Sequence, residues 1–262
     1  MKSKKKRSKK EIILLVSIAV LLALTVWAVV LLSREAGTDA RFIRDLDRGL
    51  TASWAQKNDE FRLQKKEEGM STNFIDLEYS AVSAYKEQKF RNKKLGKLAK
   101  AYIASLEECR EAAAVADPNE DFDKFWEAFS EPYGERIKTV YSIYKGKYDL
   151  ELDDPGYKKK KNMFLAQGWI LQKVDGISIS REKNKDGTVA LRAKVKNDSG
   201  FDLKYVNLDL ELYNKKGKAV EKLSIFAENI KKGEEFELLG YQLSGSKIDG
   251  YKIVSETCEI RQ

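Results

Sequence analysis

The chain has 262 residues, 42% of them hydrophobic and 34% charged, with a formal net charge of +8 and a pI near 9.1. It contains no histidine and only two cysteines, Cys109 and Cys258, in distant segments, which excludes a zinc site of the usual Cys/His kind. Residues 1–11 carry seven cations against Glu11, and the other 251 residues hold 42 basic and 40 acidic side chains, a balance that argues against a nucleic-acid partner while leaving room for a local patch.

Lys4, Lys5, Lys6, Arg7, Lys9 and Lys10 crowd the tail of residues 1–11. Behind them, Ile12 to Leu32 runs for 21 residues without a charge, a glycine or a proline. As a helix this run is about 30 Å long, the thickness of a bilayer's hydrocarbon core. It predicts a transmembrane helix over 12–32 in contact with membrane lipid. The lysine-rich tail sets the topology: residues 1–11 in the cytoplasm, residues 33–262 outside a cell membrane crossed once. Secretion after cleavage near Thr38-Asp39-Ala40 is the alternative.

Residues 33–165 carry helical spacing and predict an antiparallel helical bundle. Phe42, Leu46, Leu50, Trp54 and Phe61 share one face of a first helix. Ser71, Thr72 or Asn73 can cap a second, striped by Phe74, Leu77, Ala81, Val82 and Tyr85. The basic stretch KFRNKKLGK interrupts, then Leu95, Leu98, Tyr102, Ile103, Leu106 and Cys109 continue the period. Asp117-Pro118 predicts a further helix start, with Phe122, Phe125, Trp126 and Phe129 behind it. Ser130-Glu131-Pro132 predicts a restart before Ile137, Val140, Tyr141 and Tyr144. Residues 149–162, DLELDDPGYKKKKN, read as a solvated connector, lysines included.

From residue 166 to 262 the spacing becomes two. Ile177 and Ile179, then Val189, Leu191, Ala193 and Val195, flank a turn at Asp186-Gly187. Leu203 and Tyr205 fall on odd positions, whereas Val206, Leu208, Leu210 and Leu212 fall on even ones, a phase change that predicts a bulge at Tyr205-Val206. Lys216-Gly217 turns the chain again, and Val220, Leu223, Ile225, Phe236, Leu238, Tyr251 and Ile253 supply further strands. Six or seven short strands predict an antiparallel β-sandwich, so the fold class expected is α+β: transmembrane helix, bundle, sandwich.

The order VKNDSGFDLKYVNLDLELYNKKGKAV…ENIKKGEEFEL, within about residues 188–258, resembles the FxLYD domain of membrane-anchored proteins and lipoproteins of Gram-positive bacteria. Leu210, Leu212, Tyr213 and Asn214 occupy its motif, Gly217-Lys218 its turn and Gly233-Glu234 its later step. Leu210 replaces the family's Phe and Asn214 its Asp, both mild changes. The resemblance implies an immunoglobulin-like fold and an envelope location, and no activity.

Few residues point to chemistry. Asp117, Asn119, Asp121 and Asp123 alternate like the opening of an EF-hand loop, but Phe122 stands where glycine is needed and Ala128 where the bidentate acid belongs. No nucleophile elbow and no phosphate-cradling glycine loop occurs, so neither an enzyme nor a cofactor is expected. Phe125, Trp126, Phe129, Tyr133, Tyr141 and Tyr144 form the candidate contact surface, with core filling as the competing use. The function expected is a non-catalytic adaptor at a bacterial envelope, contacting an envelope protein or wall component. The alternative is a sensing module that encloses a small ligand between bundle and sandwich. The two cysteines are either free and buried or joined; their spacing does not decide.

Overall fold

The computed structural model describes residues 21, 24, 25, 27, 37–55, 71–146, 148, 157–242 and 247–261. Helix α1 covers residues 37–54, and Phe42, Leu46, Leu50 and Trp54, four apart, are buried along it as the period requires. Phe61 lies outside the described residues. Helix α2, Asn73–Val82, runs into a 3₁₀ turn at Ser83–Tyr85. Its buried side chains are Phe74, Ile75, Glu78 and Val82, so a glutamate occupies the buried stripe and Leu77 is only half-buried. Helix α3, Lys93–Ala113, starts where the Asn92 side chain accepts the backbone N–H groups of Lys94 and Leu95.

Helix α4, Phe122–Lys145, departs from expectation twice. Its first turn is capped by Asp121, which accepts from the Lys124 N–H, while Asp117 accepts from Asn119 in the preceding turn. The helix also runs unbroken through Pro132. Proline removes one N–H and crowds the carbonyl one turn back, but Phe129, Pro132, Tyr133 and Ile137 are all buried. That burial holds the helix on both sides of the defect.

Helix α5, Lys158–Val174, overturns the reading of KKKK as connector and passes through residue 165. Four lysines in a first turn oppose the helix dipole. Two of them gain local partners: Lys160 Nζ donates to the Trp54 carbonyl at 2.7 Å, and Lys161 Nζ lies 5.5 Å from the Tyr144 ring centre. The rest of α5 is apolar on two faces. Phe164 and Leu171 belong to the helical core, whereas Leu165, Ala166, Trp169 and Ile170 belong to the core beneath the strands.

Six strands follow: β1 Ser180–Lys183, β2 Val189–Lys196, β3 Leu203–Tyr213, β4 Ala219–Ile230, β5 Glu235–Gln242 and β6 Gly250–Ile260. They form one antiparallel sheet in the order β1-β2-β5-β4-β3-β6. This corrects the expected immunoglobulin-like sandwich of two sheets. The physical reason lies at β4 and β5, which pair at Phe226 and Leu239 and approach so closely that a Cβ on Gly240 would stand 2.3 Å from the Ser224 carbonyl oxygen. The phase change in β3 is present, but the register shift with β6 falls between Leu203 and Tyr205 rather than at Tyr205-Val206, and Val206, Leu208, Leu210 and Leu212 are fully buried. At the β3–β4 turn Asn214 accepts the N–H groups of Lys216 and Lys218, and Gly217 takes φ +70°.

Among the described residues no helix is long and apolar enough to cross a membrane. The transmembrane helix expected at 12–32 is therefore not supported, and the single-pass placement with its outward-facing domains falls with it. A span needs about 20 consecutive apolar residues, and the described helices are amphipathic: α1, for example, exposes Arg41, Arg44 and Arg48. Of residues 12–32 only Leu21, Leu24, Thr25 and Trp27 are described, helical and exposed. Lys4, Lys5, Lys6, Arg7, Lys9 and Lys10 lie outside the described residues.

Helices α4 and α5 pack closely at Gly168, where an added Cβ would stand 2.6 Å from Tyr141 Cβ and 3.0 Å from the Ile137 carbonyl oxygen. Gly168→Ala must push the two helices apart. It is expected to cost about 1–3 kcal/mol, as overpacking does, and thermal melting followed by circular dichroism will show a correspondingly lower Tm.

Candidate functional site

The aromatic stretch is placed mainly inside. Phe125, Phe129, Tyr133 and Tyr141 are buried, Trp126 is half-buried against the helical core, and Tyr144 is exposed. Phe122 stacks on Trp126 with centroids 5.7 Å apart, and Phe125 on Phe129 at 4.7 Å. Tyr133 continues the ladder, 5.5 Å from Phe129. Tyr141 sits apart, in the core beneath the sheet. These rings are filling rather than a groove.

The ladder ends on a buried ion pair that the sequence reading missed. Arg136 and Glu78 are both 0% exposed, with Arg136 Nε 2.7 Å from Glu78 Oε2 and its Nη2 2.5 Å from Oε1. Tyr102 donates its hydroxyl to the same Oε2 at 2.5 Å. The rings of Phe74, Tyr133 and Phe164 flank the guanidinium at 5.2, 5.6 and 5.1 Å. Helices α2, α3 and α4 thus supply the polar atoms, and α5 adds a ring. The signal was available: Glu78 stands four residues from both Phe74 and Val82, on the stripe itself.

Accessible chemistry lies on the other side of α2. An open cleft of about 650 Å³ runs between α2 and α3, lined by Thr72, Ile75, Asp76, Tyr79, Lys86, Glu107, Arg110, Glu111 and Ala113. Arg110 Nε donates to Asp76 at 2.8 Å while its guanidinium covers the Tyr79 ring at 4.6 Å. Lys86 donates to both Glu107 oxygens at 2.8 and 2.9 Å, and the Tyr79 hydroxyl to one of them at 3.1 Å. The bond from Lys86 holds the Glu107 carboxyl below its ordinary value, and the same bond raises the Lys86 ammonium. Both groups stay charged at neutral pH, so neither is poised to exchange a proton. The i, i+3 pairs Asp76/Tyr79 and Glu107/Arg110 share helix faces, but only the packing of α2 on α3 brings them together.

A second opening, about 440 Å³, lies where α5 meets the sheet, lined by Asn162, Gly200, Phe201, Asp202, Lys232, Ile260 and Arg261. None of the candidate aromatics lines it. Nearby, Trp169 Nε1 donates to Asp198 at 2.6 Å, and Lys173 bonds the same carboxylate. Burial alone would raise Asp198, yet these two donors hold it below the usual carboxylate range. On β6, burial pushes the Glu256 carboxyl up to about 7, opposed by Lys138 and reinforced by Asp175 and Asp209.

Cys109 and Cys258 are buried and not joined by a disulfide, and burial raises the Cys258 thiol to about 12, so it is largely unreactive. Among the described residues no group of three or more Cys, Asp or Glu side chains is placed to hold a metal ion. The EF-hand-like residues serve as turn and cap.

No family model matches the chain, and no curated protein matches it. Among solved structures it is similar to a Pseudomonas fluorescens alkylpurine DNA glycosylase AlkC bound to DNA containing an abasic site analog, at 9% identity. The match covers 73% of this chain and 66% of that one with a TM-score of 0.20, below the level at which a shared fold is inferred.

Proposed function

We propose that the chain is a non-catalytic adaptor that docks a protein partner in the charged cleft between α2 and α3. The observation that carries this reading is the fixed charge of the cleft. Asp76, Lys86, Glu107 and Arg110 form two ion pairs with defined geometry around Tyr79, a surface suited to charge-complementary recognition rather than to proton transfer. The sheet acts as scaffold. Its Leu210 and Leu212 enter the core, and Asn214 and Gly217 shape the turn.

A photo-reactive amino acid at Glu111, on the cleft rim, tests the reading in cells. A discrete protein adduct that disappears with Arg110→Glu, while the same probe at Tyr241 on the sheet gives none, is the result expected. No adduct at position 111, or one indifferent to Arg110→Glu, would overturn the proposal.

A further inference from the structure

The near balance of charge outside the tail conceals a strongly uneven distribution. Between Gln88 and Leu106 the chain carries Lys89, Arg91, Lys93, Lys94, Lys97 and Lys100 and no acidic residue at all. All six are exposed. Among the described residues none of these six side chains takes part in an ion pair. The bridges of the neighbourhood use Lys86, Arg44 and Arg48 instead.

The fold gathers these cations on one end of the helical region. Asp39, at the start of α1, accepts the backbone N–H groups of Arg91 and Asn92 at 3.0 and 2.9 Å. That clamp fixes the loop before α3 against α1 and engages the Asp39 carboxylate with backbone donors. Tyr85 donates to Asp45 at 2.6 Å, so this carboxylate too is engaged. Arg41, exposed on α1, lies close enough to Tyr85 to influence its hydroxyl and adds to the same positive face, whereas Arg44 is paired with Asp45. Along α3, Lys93, Lys97 and Lys100 follow a spacing of four and three, one stripe about 10 Å long at 1.5 Å per residue.

We infer that this face binds a linear phosphate polyanion through charge alone. Several observations select that partner. The cations are mostly lysines, point charges on flexible stems that suit a phosphate chain without demanding bidentate geometry. The one aromatic ring within the segment's loop, Phe90, packs against the helical core, edge-on to Phe42 and tilted against Tyr85, so no free platform remains for base stacking. The exposed positions of the segment carry no large apolar side chain, which removes the anchors a protein interface or an inserting lipid contact would use. The inference stands on a different part of α3 from the cleft and does not depend on the adaptor reading.

Binding of a labelled oligothymidylate to the purified full chain tests it, with Lys2, Lys4, Lys5, Lys6, Arg7, Lys9 and Lys10 replaced by glutamine in every sample to silence the tail. Six neutralised phosphates on a single strand give a slope of log K against log salt of about −4 between about 50 and 200 mM. Lys93→Gln, Lys94→Gln and Lys97→Gln together are expected to reduce the slope by about 2 and weaken binding more than tenfold, with melting unchanged. Inorganic polyphosphate should compete, showing that phosphate rather than base is read. Reversal of Lys215, Lys216 and Lys218 in the β3–β4 turn, and Arg110→Glu in the cleft, should leave binding intact. The inference is overturned if neither soluble polymer binds, if the turn variant weakens binding as much as the α3 variant, or if only acidic lipid vesicles are bound.

Discussion

Arg136→Met is expected to destabilise the protein by about 3–5 kcal/mol, the range for removing one partner of a buried ion pair. Glu78 would keep only the Tyr102 hydroxyl of the bonds that now hold its carboxylate, in a site where no part of the side chain reaches water. An uncompensated carboxylate there is far more costly than the loss of packing around the guanidinium. Removing the whole network should undo most of the damage. With Glu78→Leu and Tyr102→Phe added, no buried charge or orphan hydroxyl remains, and apolar replacements of similar volume restore contacts with Phe74, Tyr133 and Phe164. Urea unfolding monitored by circular dichroism checks both variants. A loss below about 1 kcal/mol for the single variant, or no recovery in the triple one, would show that the pair is not the centre of the helical core.

A second large effect is expected from Glu256→Gln, and it depends on pH. The carboxyl is pushed up to about 7 in the folded chain against an ordinary value of 4.5, because it is half-buried and desolvated where β6 meets the helices. Between those two values the folded state holds a proton that the unfolded chain has released. Stability of the parent protein therefore falls as pH rises from 4.5 to about 7 and levels off above it. At about 1.4 kcal/mol per pH unit the full loss is about 3 kcal/mol. Glutamine keeps the shape without the charge. The variant should match the parent near pH 4 and exceed it by about 2–3 kcal/mol near pH 8. Identical stability profiles for the two proteins between those values would show that Glu256 does not carry the penalty. The groups facing it limit the effect: Lys138 on α4 favours the charged form, whereas Asp175 after α5 and Asp209 on β3 oppose it.

Much of the local architecture was legible in the sequence. Phe42, Leu46, Leu50 and Trp54 marked α1, and Leu95 to Cys109 marked α3, because a helix that buries one face must repeat its apolar residues every three or four positions. Asp186-Gly187 and Lys216-Gly217 marked the two hairpin turns, since glycine reaches positive φ without strain, as Gly187 does at +90° and Gly217 at +70°. Where those rules broke down, a second surface was involved. Helix α5 serves two cores at once, so its apolar residues wrap around it and its lysine-rich first turn read as loop. Pro132 looked like a break because its cost is local and visible, while the burial that outweighs it comes from other helices. The aromatics from Phe125 to Tyr141 offered a binding groove only until α2, α3 and α5 were packed upon them.

The candidate surfaces show the same division. The six cations between Lys89 and Lys100 could be read from the chain directly, as could the i, i+3 pairs of the cleft. Their meaning could not, because a charge's effect depends on which opposite charges the fold brings near it, and Asp39, Asp45 and Asp76 come from other elements.

By itself the sequence determined the helical stripes of α1 and α3, the alternating strands and the glycine turns between them. These are properties of spacing along the backbone, decided within a few residues. Only the tertiary structure decided that the six strands make one sheet, that α5 joins two cores, and that Glu78 meets Arg136 58 positions away. Contacts between distant segments follow from how several amphipathic surfaces cover one another, and no local period records that choice.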